Sequence, residues 1–138
     1  MNLEQRVTVV LVTFNRLEKL KIALSCYEKQ TYKIERLIIV ENCSSDGTID
    51  FLKEWIDIKA DFDKDVVYLS ENTGGAGGFG AGMDYVLDLV NLMRLKTDWI
   101  LVSDDDAFPN DDAIEKMIVY YQNQEKKRQN EIVALSSA

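Results

Sequence analysis

The sequence predicts an α/β fold, a mostly parallel sheet with helices on both faces. Two observations carry that prediction. Five short apolar runs, at residues 7–12, 37–40, 66–69, 99–102 and 132–135, are mostly continuous rather than alternating, as in strands buried on both faces of a parallel sheet. Between them lie stretches of helical apolar spacing, so that strand and helix alternate along the chain.

Each element follows in order. Residues 7–12 give the first strand, and Leu17, Leu20, Leu24 and Tyr27 then step by three, four and three, one stripe of a helix. Residues 37–40 give the second strand. Ile49, Leu52 and Ile56 mark the second helix, with Ser44, Ser45 and Asp46 as candidates to cap it near Thr48. The charged stretch 57–65 reads as a surface connection to the third strand at 66–69. Met83, Val86, Val90 and Met93 mark the third helix, 99–102 the fourth strand, and Ala113, Met117 and Tyr120 a fourth helix beginning near Pro109-Asn110. Residues 122–130 read as a helix end and loop before a fifth strand at 132–135. These stripes are assigned to the core.

A chain of 138 residues makes about one domain. No apolar run is long enough to span a bilayer, and residues 1–6 lack the apolar stretch of a signal peptide, so a cytoplasmic location is expected, with peripheral membrane contact left open. The chain has no histidine, which excludes Ser-His and Cys-His dyads and imidazole zinc sites within it. Cys26 and Cys43 lack metal-ligand spacing and read as free thiols. A net charge of −8 argues against nucleic acid as a partner. It also means that a phosphate ligand near a cluster of acids would need a cation between the two.

In open α/β sheets ligands bind outside the carboxyl ends of the strands. Those ends carry polar or glycine-rich segments at 13–16, 41–48, 70–82 and 104–106. The most informative is Asp104-Asp105-Asp106, a carboxylate cluster suited to Mg²⁺ or Mn²⁺. Strand alternation lets Asp104 and Asp106 converge while Asp105 turns away. The plainer reading of the triplet is a solvated acidic turn. Residues 72–82 hold six of the seven glycines, which suits either close backbone approach to a ligand at a helix N-terminus or close packing of that helix on the sheet. Gly75, Gly77 and Gly80 match the dinucleotide fingerprint, but not directly after a strand. Glu41 ends the second strand, where an acid can meet a base or ribose. Arg16 is a phosphate contact or a solvated charge at a helix start.

Together, Val-Thr-Phe-Asn-Arg at 12–16, Val-Glu-Asn-Cys-Ser-Ser-Asp-Gly-Thr at 40–48, Asn-Thr-Gly-Gly-Ala-Gly-Gly-Phe at 72–79 and Asp-Asp-Asp at 104–106 resemble the ordered motifs of family 2 glycosyltransferases with the Rossmann-like GT-A fold. The glycine segment is similar to that of rhamnosyl- and galactofuranosyltransferases. The resemblance covers about residues 7–120. It implies metal-dependent, inverting transfer of a sugar from a nucleoside-diphosphate sugar, UDP- or dTDP-linked, to a glycan or lipid-linked acceptor of a bacterial surface. By resemblance, Thr13, Asn15, Arg16, Glu41, Asn72, Gly74, Gly75, Asp104 and Asp105 line the donor, and Asp104 and Asp106 hold Mg²⁺ or Mn²⁺. Glu41 stands where the family often has aspartate. The family's general base lies in an acceptor half, so residues 1–138 are expected to be the nucleotide-sugar-binding portion of a longer enzyme, with no catalytic base assigned.

Three alternatives remain at this point. A response-regulator receiver suits the length, but its acids would follow the first and third strands. A nicotinamide-binding domain rests on the glycine fingerprint alone. A non-catalytic nucleotide-binding module of the same fold is opposed by the intact Asp104 and Asp106.

Overall fold

The computed structural model describes residues 5–132. Its elements run β1 (Val7–Thr13), α1 (Leu17–Glu28), β2 (Arg36–Glu41), α2 (Thr48–Trp55), β3 (Asp63–Tyr68), α3 (Gly74–Asn91), β4 (Trp99–Asp104), α4 (Ala113–Gln122) and a short α5 (Lys126–Gln129). The sheet order is β3-β2-β1-β4, and every pair is parallel. All four carboxyl ends therefore emerge on one edge. Register sets their levels: Thr13 lies beside Glu41, Val12 beside Asp104, and Glu41 beside Tyr68.

The two central strands bury almost every residue, as their continuous apolar runs require. Their side chains divide between two layers. Val9, Leu11, Leu37 and Ile39 face α1, α2 and α4 through Leu20, Leu24, Tyr27, Leu52, Trp55, Ile114 and Ile118. Val10, Val12, Ile38 and Val40 face α3 through Val86, with Leu95 closing the layer. Each fully buried aliphatic side chain contributes roughly 1.5–3 kcal/mol, so this alternation locks the register of β1 against β2.

Sequence and structure differ at several points. β3 begins earlier than its apolar run and is half-exposed, because it is an edge strand whose charged start, Asp63 and Asp65, pairs with Arg36. α3 packs through Gly78, Gly82 and Val86, whereas Val90 is 39% exposed and Met93 92%. The expected stripe shares only Val86 with this face, because the other two members have no side chain to count. In α4 the buried residues are Ile114 and Ile118, and Tyr120 is exposed. That helix starts at Ala113, later than Pro109-Asn110 suggested. Of the expected fifth strand, Ile132 is not in a strand and 133–135 lie outside the described residues.

Candidate functional site

The loops after β1 and β2 are joined side chain to backbone. Asn15 takes a left-handed backbone conformation, φ 49°, which asparagine tolerates better than most residues. Its backbone N–H donates to Ser44 Oγ at 2.9 Å, and its Oδ1 receives the Ser45 amide at 2.7 Å. Asp46 receives the Thr48 amide and hydroxyl on one oxygen and the Leu17 amide on the other. One carboxylate thus serves the starts of both α1 and α2, where helix amides lack intrahelical partners. Burial works against ionisation of Asp46, yet these hydrogen bonds hold its carboxyl below the usual carboxylate range.

Glu41 is fully buried, and its two oxygens receive the amides of Cys43 (3.1 Å) and Ser44 (2.9 Å). In this structure it shapes the loop. Asn42, a member of the 40–48 motif to which the sequence assigns no role, is 2% exposed. Its Oδ1 receives the Thr73 amide at 2.9 Å, and its Nδ2 donates to the Gly74 carbonyl at 3.0 Å. Asn42 therefore fixes the start of α3 to the end of β2. An asparagine directly after a buried strand is the one signal that could have revealed it.

Gly74 adopts φ 74°, a conformation that favours glycine, and its amide donates to Asn72 Oδ1 at 2.8 Å. The glycines after it are helical and face two ways. A Cβ on Gly78 would lie 2.6 Å from Val12 Cγ1, and one on Gly82 would lie 2.3 Å from Val10 Cγ1. Gly75 and Gly80 would meet nothing within 4 Å. Gly78 and Gly82 thus serve close packing on the sheet, while Gly74 and Gly75 border the open edge. Because Gly75, Gly77 and Gly80 lie within α3, they form no turn directly after a strand, and the dinucleotide fingerprint is not realised.

At the β4 end, Asp104, Asp105 and Asp106 each offer a ligand oxygen, and these oxygens lie within 4.8 Å of one another. Asp104 and Asp106 are exposed and Asp105 is 2% exposed. Asp105 does not turn away from its neighbours as strand alternation would have it, because β4 ends at Asp104 and the next two residues form a turn; it is buried and acts as an anchor. It receives the Thr13 hydroxyl at 3.0 Å, the Phe14 amide at 3.3 Å and Arg16 Nη1 at 3.2 Å. Burial pushes its carboxyl above the usual range, against the pull of Thr13 and Phe14. Arg16 Nη1 also contacts Asp106 at 2.9 Å, and Asp105 first, then Asp106, hold its guanidinium firmly protonated. The structure thus gathers Thr13, Arg16 and the three aspartates into one cluster. Asn15 and Asn72 belong to the adjoining loops, Gly74 and Gly75 open α3, and Glu41 lies inside.

The cluster fits a divalent cation by its donor set. Its oxygens are hard, two of its carboxylates are exposed, and three carboxylates against one guanidinium leave two formal negative charges.

The model of Glycosyl transferase family 2 matches residues 8–127, most of the described chain. The protein belongs to glycosyl transferase family 2. It is 33% identical over 110 residues to galactofuranosyltransferase GlfT1 of Mycolicibacterium smegmatis, a match covering 78% of this chain and 32% of that protein. Among solved structures it resembles S. aureus TarS 1-349 in complex with UDP-GlcNAc, at TM-score 0.66 and 18% identity over 86% of this chain and 31% of that one. It also resembles the mannosyltransferase PcManGT of Pyrobaculum calidifontis in complex with GDP-Man and Mn²⁺, at TM-score 0.65 and 24% identity over 82% and 31%. At these identities the structural likeness concerns the fold. The chain spans about a third of the length of each of these proteins. No helix among the described residues is long and apolar enough to cross a membrane.

Proposed function

We propose that this chain is the donor-binding portion of a glycosyltransferase that passes a sugar from a nucleoside-diphosphate sugar, UDP- or dTDP-linked, to a glycan or lipid-linked hydroxyl. The observation that carries the reading is the union of Thr13, Arg16 and Asp104–Asp106 at the carboxyl edge of the sheet in a chain of this family. The neighbours solved with UDP-GlcNAc and with GDP-Man and Mn²⁺ support it.

In this reading the acceptor oxygen bonds to the anomeric carbon as the carbon–oxygen bond to the diphosphate breaks, with inversion. The nucleoside diphosphate departs with the electron pair, and the hydroxyl proton passes to a base in the acceptor half. Asp104 and Asp106 would hold Mg²⁺ or Mn²⁺, which supplies Lewis-acid stabilisation of the leaving diphosphate. Asp105 keeps the acidic turn docked on β1. Thr13, Asn15 and Arg16 border the nucleotide, Asn72, Gly74 and Gly75 present backbone to its ribose and sugar, and Glu41 orders the loop on the base side. The proposed location is the cytoplasm, at or near the inner face of the membrane.

Calorimetric titration with UDP and with dTDP, each with and without Mn²⁺, tests the reading alongside Asp106→Asn. Metal-dependent binding that the variant loses is expected. Binding indifferent to both metal and variant overturns the cation assignment, and no nucleotide binding under any condition overturns donor binding by this chain.

A further inference from the structure

We propose that Arg16 is a resident counter-ion of the aspartate cluster, displaced from Asp106 when a divalent cation binds. The inference rests on the reading of Asp104 and Asp106 as the cation site and adds a competition within it.

The argument begins with an asymmetry between the two bonds that Arg16 makes. Its Nη1 lies 3.2 Å from Asp105 Oδ1 and 2.9 Å from Asp106 Oδ2. Asp105 is buried, with its other oxygen held by Thr13 and Phe14. Asp106 is 46% exposed, as is the Arg16 side chain. The Asp105 contact is therefore part of the frame, while the Asp106 contact faces water and can be exchanged.

The backbone of Arg16 need not move for this to happen. Its carbonyl receives the Leu20 amide at 2.9 Å, which fixes it at the start of α1, and the long side chain above that point has enough rotatable bonds to leave Asp106. A cation ligated by Asp106 would sit within a few ångströms of the guanidinium. Two cations so close repel unless one leaves. The divalent ion brings the greater charge and direct coordination, whereas an exposed ion pair shifts an equilibrium by only about two- to fivefold. The cation displaces the arginine.

This assigns Arg16 a function in the empty site. It offsets one of three crowded carboxylates and holds Asp106 near its working place until the ion arrives. It also fixes the sign of a mutational effect. Losing a residue needed only for structure weakens metal binding, but losing a competitor tightens it.

The test is titration of the chain with Mn²⁺ alone, without nucleotide, at low ionic strength. Arg16→Gln is expected to bind Mn²⁺ about two- to fivefold tighter than the unmodified chain, the factor by which an exposed ion pair competes. Arg16→Lys, which keeps the charge but replaces the planar guanidinium whose Nη1 reaches both carboxylates, is expected to fall between. Unchanged or weaker Mn²⁺ binding by Arg16→Gln overturns the proposal while leaving the cation site standing. No Mn²⁺ binding by either protein removes the cation site and this inference with it, whereas binding by the variant alone supports both. A second measurement needs no variant. As Mg²⁺ saturates the unmodified chain, the Arg16 Nε–H resonance is expected to shift in step with occupancy, and a resonance that stays fixed overturns displacement.

Discussion

The carboxyl edge of this sheet has two unlike sides. On the β1 and β2 side, polar side chains are engaged with backbone: Glu41 with two amides, Asn42 with the start of α3, Ser44 with the Asn15 amide, Asn15 with the Ser45 amide, and Asp46 with two helix starts. On the β4 side, Asp104 and Asp106 stand exposed, with Asp105 alone buried. The difference separates framework from the groups proposed as ligands. Side chains that satisfy buried backbone fix loop shape, and side chains left in water at the end of a strand remain able to change partners.

The largest effect is expected on the engaged side. Asn42→Ala strands the Thr73 amide and the Gly74 carbonyl, at about 3 kcal/mol for two poorly satisfied groups, and chemical denaturation should show that loss. Next comes the seat of α3. Gly82→Ala drives a Cβ into Val10 and Val40 and should cost about 2 kcal/mol through overpacking. Gly80→Ala, which meets open space, should gain about 0.5–1 kcal/mol from helix propensity. If both substitutions moved the melting temperature alike, α3 would not be seated as described.

Asp46 sharpens the comparison through pH. Its carboxyl titrates below the usual range, so the stability it contributes is present above about pH 4, the ordinary carboxylate value, and is lost as pH falls through its lowered folded value. Asp46→Asn should cost about 1 kcal/mol at neutral pH and flatten that part of the acid unfolding curve. The smallest effect belongs to the open side. Asp104→Asn should change stability by no more than about 0.5 kcal/mol, because the residue is exposed and an amide oxygen can still receive the Asp105 N–H. The same variant should weaken Mn²⁺ binding, as titration would show.

The four described strands and the four principal helices were legible in the sequence, because continuous apolar runs and helical stripes are direct consequences of burial. The edge that carries the site was legible for the same reason, since parallel strands put their carboxyl ends together. Three features were not. The face of α3 is hidden because Gly78 and Gly82 pack by lacking a side chain. The anchoring of Asp105 depends on Thr13, Phe14 and Arg16, about ninety positions away, and no local pattern announces it. Glu41 reads as an acid at a strand end able to meet a base or ribose, yet the loop folds back so that the Cys43 and Ser44 amides donate to it.

That long-range anchor has a consequence for how the molecule comes to exist. Thr13 and Asp105 are 92 residues apart, whereas β1 meets β2 across only 28 positions, as at Thr13 beside Glu41. Closing the larger loop costs more chain entropy, and contacts of such separation form slowly. A chain emerging from the ribosome can pair β1 with β2 well before β4 has been made. Pulsed hydrogen exchange during refolding should accordingly protect the amides of β1 and β2 ahead of those in β4, so that the acidic turn is the last part of the edge to be set in place.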